Sequence, residues 1–473
     1  MLFNSLSYII FLPIIALAYF QTNKRHRWIV LLAASYYFYA SINAEFVVLI
    51  AISTIVDYYA GRGISNTESK LKKRGYLISS LIINLGLLFT FKYWNFFNTS
   101  IDSVMQIIGI PFDPIITSLI LPVGISFYTF QTLAYTIDVY RGKIKAEKHF
   151  GIFAVYVAFF PQLVAGPIER AQNLIPQLKE EKHFSYENLK SGLKIFIWGL
   201  FKKMVVADRL SIIVNTVYAQ PDQYTFIPLF LATIFFGFQI YCDFSGYSDM
   251  AIGSARILGF KLMNNFRRPY FSKSVSEFWR RWHISLSTWF KDYIYIPLGG
   301  NRVSKGKWRL NIFIVFLISG IWHGAAWTFI FWGSLHGLYI IIEDYFGSRF
   351  SKQVRIPEGI INFSKMIFTF FIVNITWVFF RAESFVDVLT IFSNMTIFSL
   401  NTIGVRLGVD MMGLWIALSL LVFMELVHIL QETRIAQSLR NSPKMVSSYY
   451  ILLILLILLF GIFEPQEFIY FQF

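Results

Sequence analysis

Apolar runs close to 20 residues long recur along this chain, and the short loops between them are sorted by charge. From Leu2 to Phe20 no charged residue occurs, and Lys24, Arg25 and Arg27 follow at once. About 20 apolar residues are what a helix needs to cross the hydrocarbon core of a bilayer. Further runs occupy 28–40, 44–60, 76–97 and 117–139. The loops 22–27, 61–75 and 141–149 carry three, five and four lysines or arginines, whereas the longer loop 98–114 carries none and holds Asp102 and Asp113. Basic residues stay on the cytoplasmic side, so the alternation places the N-terminus outside and those three loops inside. Lys92, near an outer end, is the one dissenter. Ala16-Leu17-Ala18 has the form of a cleavage site, but a secretory signal carries its positive charge in front of the apolar run. An uncleaved first span is expected.

The pattern continues at 150–165, 193–218, 226–241, 310–322, 325–342, 361–380, 384–400, 411–430 and 447–463. Several of these runs are too short or too broken for a simple crossing. The expected architecture is an all-α polytopic membrane protein of ten to thirteen helical segments, some re-entrant, in one membrane-embedded domain over 1–473. Only 15% of residues are charged, against about 25% in soluble domains. That excludes a disordered chain, a coiled coil and a secreted disulfide scaffold. Cys242 is the only cysteine, so no intramolecular disulfide and no cysteine metal cluster can form. The net charge of +15 lies between apolar runs rather than on one polar face, which suits cytoplasmic loops and anionic lipid and not nucleic acid.

The stretch 237–305 breaks the pattern. Basic residues alternate there with Trp, Tyr and Phe, and irregular polar backbone is expected, as is tolerated at membrane depth only under cover of protein or around a water-filled cavity. Asp243, Ser245, Tyr247 and Asp249 crowd around Gly246, directly continuous with a span. Carboxylates so close to the bilayer are costly and are usually paired or functional. Pairing of Asp243 or Asp249 with a nearby arginine is the simplest reading. Arg267, Arg268, Arg280 and Arg281 equally suit the phosphates of an anionic donor, because guanidinium groups hold phosphate in a fork.

Seven histidines occur. His26, His149 and His183 lie in polar loops and read as solvated, and His428, near the end of an apolar run, as structural. His323 stands in the least polar part of the chain, between Ile314–Ile318 and Ala325–Trp332. An ionisable group there is a functional candidate by default, and imidazole titrates close enough to neutrality to serve as a base. His336 is 13 residues further on, about 20 Å along a straight helix and rotated by about 220°. The two form no compact dyad unless the helix breaks. His336 lies beside Gly333 and Gly337, on a face where helices approach closely, and reads as core support. No His-Glu-x-x-His pattern points to a metal.

Five stretches together resemble the membrane-bound O-acyltransferase (MBOAT) family, in its bacterial alginate O-acetyltransferase branch. They are LPVGISFYTFQTLAYTIDVYRG (121–142), FFPQLVAGPIER (159–170), QIYCDFSGYSDMAIG (239–253), NFRRPYFSKSVSEFWRRWHISLSTWFKDYIYIPLGGNR (265–302) and SGIWHGAAWTFIFWGSLHG (319–337). The terminal FIYFQF (468–473) is similar to that branch as well. The resemblance implies a helical bundle around a tunnel through the membrane, with 237–342 as the catalytic core region. It further implies His323 as the central catalytic histidine and His283 as the second, with Trp322, His336, Asp243, Tyr247 and Asp249 supporting them or lining the tunnel. Arg267, Arg268, Arg280 and Arg281 would then stand at the cytoplasmic mouth.

The activity implied by the resemblance is transfer of an acetyl group, from acetyl-CoA or another acyl thioester and with no bound cofactor, across a bacterial cytoplasmic membrane. The acceptor would be an extracytoplasmic polysaccharide such as alginate, another exopolysaccharide or peptidoglycan. The motifs lean to O-acetylation rather than D-alanylation of teichoic acid. A separate extracytoplasmic partner of the SGNH-hydrolase type is implied too, since no Ser/His/Asp arrangement for that step stands in the chain. A lipid-linked glycan transporter is the rival from another class, and the absence of an inverted hydropathy repeat speaks against it.

Overall fold

The computed structural model describes residues 1–164, 166–347, 357–398, 407–431, 433, 441–464 and 466–471. Gln472 and Phe473 of the terminal motif, Ala165 of the 159–170 motif and residues 399–400 of one apolar run lie outside them. Every regular element among the described residues is helical. Six helices there are long and apolar enough to cross a membrane: Phe46–Ser65, Lys70–Ile107, Phe226–Ile257, Glu358–Arg381, Met411–Leu430 and Pro443–Phe460. The protein is a multi-pass membrane protein. Two compact units divide the chain, the first from Met1–Leu193, Ala251–Met263 and Gly324–Ala326, the second from Lys194–Met250, Asn264–His323 and Trp327–Phe473.

In the first unit the sequence signals mostly operate locally. Ser5 and Ser69 cap Leu6–Gln21 and Lys70–Leu88, each hydroxyl accepting a first-turn backbone N–H, as short polar side chains do at helix starts. The run read as 76–97 continues through a π turn at Phe89–Tyr93 to Ile107. The run read as 117–139 is shorter than expected, for its helix begins at Ile125. Pro111, Pro114 and Pro122 lack the N–H a helix needs, and the irregular chain before Ile125 is held by Trp94 Nε1 on the Ile115 carbonyl and Asn95 Nδ2 on the Thr117 carbonyl. Gly124 starts that helix at φ +77°, and a Cβ there would stand 2.9 Å from the Leu163 carbonyl oxygen. A polar bolt joins three helices. Asp57, fully buried, accepts from Ser80, from Thr136 Oγ1 at 2.7 Å and from Asn84 Nδ2 at 2.8 Å.

In the second unit the run expected over 193–218 is helical throughout, with a π turn at Phe201–Ala207 between Tyr186–Leu200 and Asp208–Ala219. The expectation of irregular backbone from 237 fails for its first third. Phe226–Ile257 is one helix of 32 residues, and Asp243, Ser245, Tyr247 and Asp249 all stand on it. The helix tolerates its two carboxylates because Lys202 and Lys203 of the π turn face them as cations. Beyond it the backbone is irregular, with short helices at Val275–Arg281 and Ile284–Phe290. Lys305–His323 and Trp327–Gly347 form a tight hairpin. Glycine lets them close, because a Cβ at Gly333 would lie 2.3 Å from the Phe316 carbonyl oxygen and one at Gly320 2.4 Å from that of Phe329. Small residues at such crossings bring backbones together where lipid supplies no hydrophobic drive.

Candidate active site

The hairpin turn falls immediately after His323. The helix break that a compact arrangement required therefore exists, at 324–326, and it leaves His323 as the last helical residue. Its ring is 1% exposed, with Nδ1 2.7 Å from the Ser319 carbonyl oxygen. A carbonyl only accepts, so Nδ1 carries the proton and the lone pair sits on Nε2. Trp332, Trp322, Phe380 and Tyr470 surround the imidazole at ring distances of 4.7, 5.0, 5.7 and 6.0 Å.

His283 is fully buried and begins the Ile284–Phe290 helix with φ +42°. A non-glycine residue in the left-handed region carries a strain of order 1 kcal/mol or more and persists only where its surroundings hold it. Here the holder is Asn265. Its Oδ1 lies 3.1 Å from His283 Nδ1 and accepts the Ser285 N–H at 3.2 Å and the Ser285 hydroxyl at 2.9 Å. The Ser285 amide can only donate, so the atom it meets is the oxygen, and His283 Nδ1 must be the protonated nitrogen. Both histidines thus carry their lone pair on Nε2. They share neighbours as well: Trp322 and Tyr470 lie 6.3 and 6.4 Å from the His283 ring.

His336 is different in kind. Trp279 Nε1 donates to its Nδ1 at 3.2 Å, and its Nε2 lies 2.9 Å from Thr376 Oγ1, whose own hydroxyl is 2.7 Å from the Val373 carbonyl. Both ring nitrogens are thereby committed, which fits the core role read from its glycine-rich face. His428 is structural as well, with Nδ1 3.3 Å from Glu425.

The carboxylates are paired, but with lysines rather than the arginines expected. Lys203 Nζ stands 2.7 Å from Asp243 and 2.8 Å from Asp208, and Lys202 Nζ 2.7 Å from Asp249 and 2.8 Å from the Ser245 hydroxyl. The arginines are engaged elsewhere or face outward. Arg267 and Arg280 are exposed, Arg268 Nη1 donates to the His428 carbonyl at 2.9 Å, and Arg281 pairs with Glu277. Tyr247 is buried, its ring 5.5 Å from Lys203 Nζ and 4.5 Å from Phe468.

Sequence reasoning missed Asn265, the lysine pair and Tyr470. Tyr470 sits in the short helical turn Ile469–Phe471, so the terminal motif was the signal for it. The lysines lay inside an apolar run, and no spacing rule connects them to Asp243 some 40 residues on.

The sequence model of the membrane-bound O-acyltransferase family matches residues 43–382. The chain belongs to this family. A probable alginate O-acetylase of Pseudomonas aeruginosa is 40% identical over 378 residues, 79% of this chain and 71% of the relative. Another from Azotobacter vinelandii is 37% identical over 438 residues, 92% and 86% of the two chains. A peptidoglycan O-acetyltransferase of Helicobacter pylori is 37% identical over 430 residues, 84% and 80% of the two. This membrane-bound O-acyltransferase is therefore an acyl-transferring enzyme, and the matched segment contains His283 and His323.

Proposed function

We propose that this membrane-bound O-acyltransferase transfers an acetyl group from a cytoplasmic acyl thioester, acetyl-CoA or an acylated carrier, toward hydroxyls of an extracytoplasmic polysaccharide. The observation that carries the reading is His323, an imidazole inside the apolar hairpin whose Nδ1 is held by a backbone carbonyl, so that its lone pair sits on Nε2. His323 Nε2 takes the proton of an acceptor hydroxyl as its oxygen attacks the thioester carbonyl. The carbonyl–sulfur bond breaks, and the thiol leaves with a proton returned by the imidazolium. His283, set by Asn265, orients the acceptor or the acyl carbonyl. Positioned proton transfer of this kind is worth roughly 10²–10⁴ in rate.

The Pseudomonas and Helicobacter relatives are named for alginate and for peptidoglycan, and both are polymers that offer sugar hydroxyls. That supports a polysaccharide acceptor and a bacterial cytoplasmic-membrane location. Of the four arginines assigned to a donor's phosphates, Arg267 and Arg280 are the exposed ones. An SGNH-type partner outside the membrane would complete delivery to the glycan. Labelled acetyl-CoA supplied to proteoliposomes tests the reading: donor consumption that depends on His323 supports it, and glycan movement without donor consumption replaces it with transport.

A further inference from the structure

We infer that Lys203 is a positioning residue for this reaction, clamping the C-terminal segment so that Tyr470 is held beside both His283 and His323. The inference rests on the proposed function in taking those two histidines as the reacting pair.

The clamp has several points. Lys203, 1% exposed, bridges Asp208 and Asp243 through one ammonium. Asp243 then has its second oxygen available, and the Ile469 amide donates to it at 2.7 Å. Further up the segment, Ile462 N donates to the Met204 carbonyl at 3.0 Å and Arg209 Nη2 to that of Phe460 at 2.6 Å. Met204, like Lys203, belongs to the π turn. Phe468 is fully buried and packs 4.5 Å from the Tyr247 ring and 5.6 Å from Phe244. Tyr470 follows one residue beyond the pinned amide, 6.4 Å from the His283 ring and 6.0 Å from that of His323.

Charge and geometry explain why a lysine is needed. Two carboxylates buried side by side would repel, and neither could accept an amide as an anion without a cation between them. Arg381 lines the small polar cavity of about 40 Å³ beside the cluster, room for about one water, and its Nη2 donates to Asn215 Oδ1 at 3.0 Å, which leaves Lys203 as the cation that bridges the two aspartates. Burying such an ion cluster is a poor source of stability compared with apolar packing. What it secures is position. A peptide amide binds at one point to a carboxylate whose own orientation is fixed by Lys203.

Two measurements on the full chain in detergent test this. Glutamyl endoprotease cuts after glutamate unless proline follows, so in the clamped segment Glu467 is the site it can cut and Glu464, before Pro465, is not. Wild type and Lys203→Arg are expected to keep their C-termini by intact mass, while Lys203→Met loses the residues after Glu467. A Lys203→Met chain as resistant as wild type overturns the proposal. If that variant does not accumulate, Asp243→Asn carries the same expectation. In the transfer assay, Lys203→Met should lower turnover about tenfold or more with little change in KM, since misplacement near an ångström can cost that much, and Lys203→Arg should restore most of it. Combined with Tyr470→Phe, Lys203→Met should add no further loss, because both act through the same side chain. Additive losses overturn the proposal. A wild type that transfers nothing defeats the functional reading alone, since the protease result does not depend on it.

Discussion

The side-chain oxygen of Asn265 that faces His283 Nδ1 at 3.1 Å also receives the backbone N–H of Ser285 at 3.2 Å. One acceptor thereby fixes the tautomer of the histidine and the start of the helix behind it. Asn265 Nδ2 is anchored in turn on Ser248 Oγ at 3.2 Å. Replacing Asn265 by Ala should leave His283 free to rotate and to carry its proton on either nitrogen. Transfer is expected to fall about 10–100-fold, and a rate measurement beside a thermal unfolding curve separates this from misfolding.

His323→Ala should remove transfer almost entirely, by roughly 10²–10⁴-fold, while the protein still reaches the membrane. Nδ1 donates to a carbonyl of its own helix, so the substitution breaks no tie to another element through that nitrogen. Acetyl transfer at the wild-type rate in this variant would refute the assignment.

His336→Ala should act on stability instead. It strands the Trp279 indole N–H in a buried aromatic cluster, while the Thr376 hydroxyl keeps its bond to the Val373 carbonyl, and a stranded buried group costs about 1–3 kcal/mol. A lowered unfolding midpoint is expected, with transfer per folded molecule within a few-fold of wild type. A variant as stable as wild type but inactive would move His336 into the chemistry.

Gly333→Val should prevent the hairpin from closing. The new Cβ would lie 2.3 Å from the Phe316 carbonyl oxygen and 2.8 Å from the Gly320 Cα, both backbone atoms that have nowhere to shift. Loss of folded, monodisperse protein on size exclusion is the expected outcome. Gly359→Ala, with nothing within 4 Å, serves as the neutral control.

Much of the site was legible because intramembrane chemistry is conspicuous. A histidine between Ile314–Ile318 and Ala325–Trp332 stands out against its neighbours, and the carboxylates at 243 and 249 stand out against the apolar run before them. Their partners were not legible. Lys202 and Lys203 sit in a run whose neighbours are apolar, where a lysine reads as an interruption, and only the π turn brings the two consecutive side chains to two carboxylates of another helix. Asn265 was hidden in a loop of polar and basic residues, where nothing local distinguishes it from a solvated asparagine.

The sequence by itself determined the solvent, the helical class, the charge pattern of the loops and His323 as a histidine to examine, because each follows from transfer energies and periodicities that act over a few residues, while His283 came from the family resemblance. Only the tertiary structure decided which nitrogen of His283 and of His323 is basic and which residues join them. Apart from His323, whose acceptor Ser319 lies in its own helix, those outcomes depend on partners supplied from other segments. Asn265 lies 18 residues before His283, and Thr376 lies 40 residues after His336. Tyr470 reaches the histidines from the far end of the chain, behind an amide pinned to a carboxylate 226 residues earlier. Hydrogen bonds and ion pairs of that range are set by how helices pack, and no local pattern of residues encodes them.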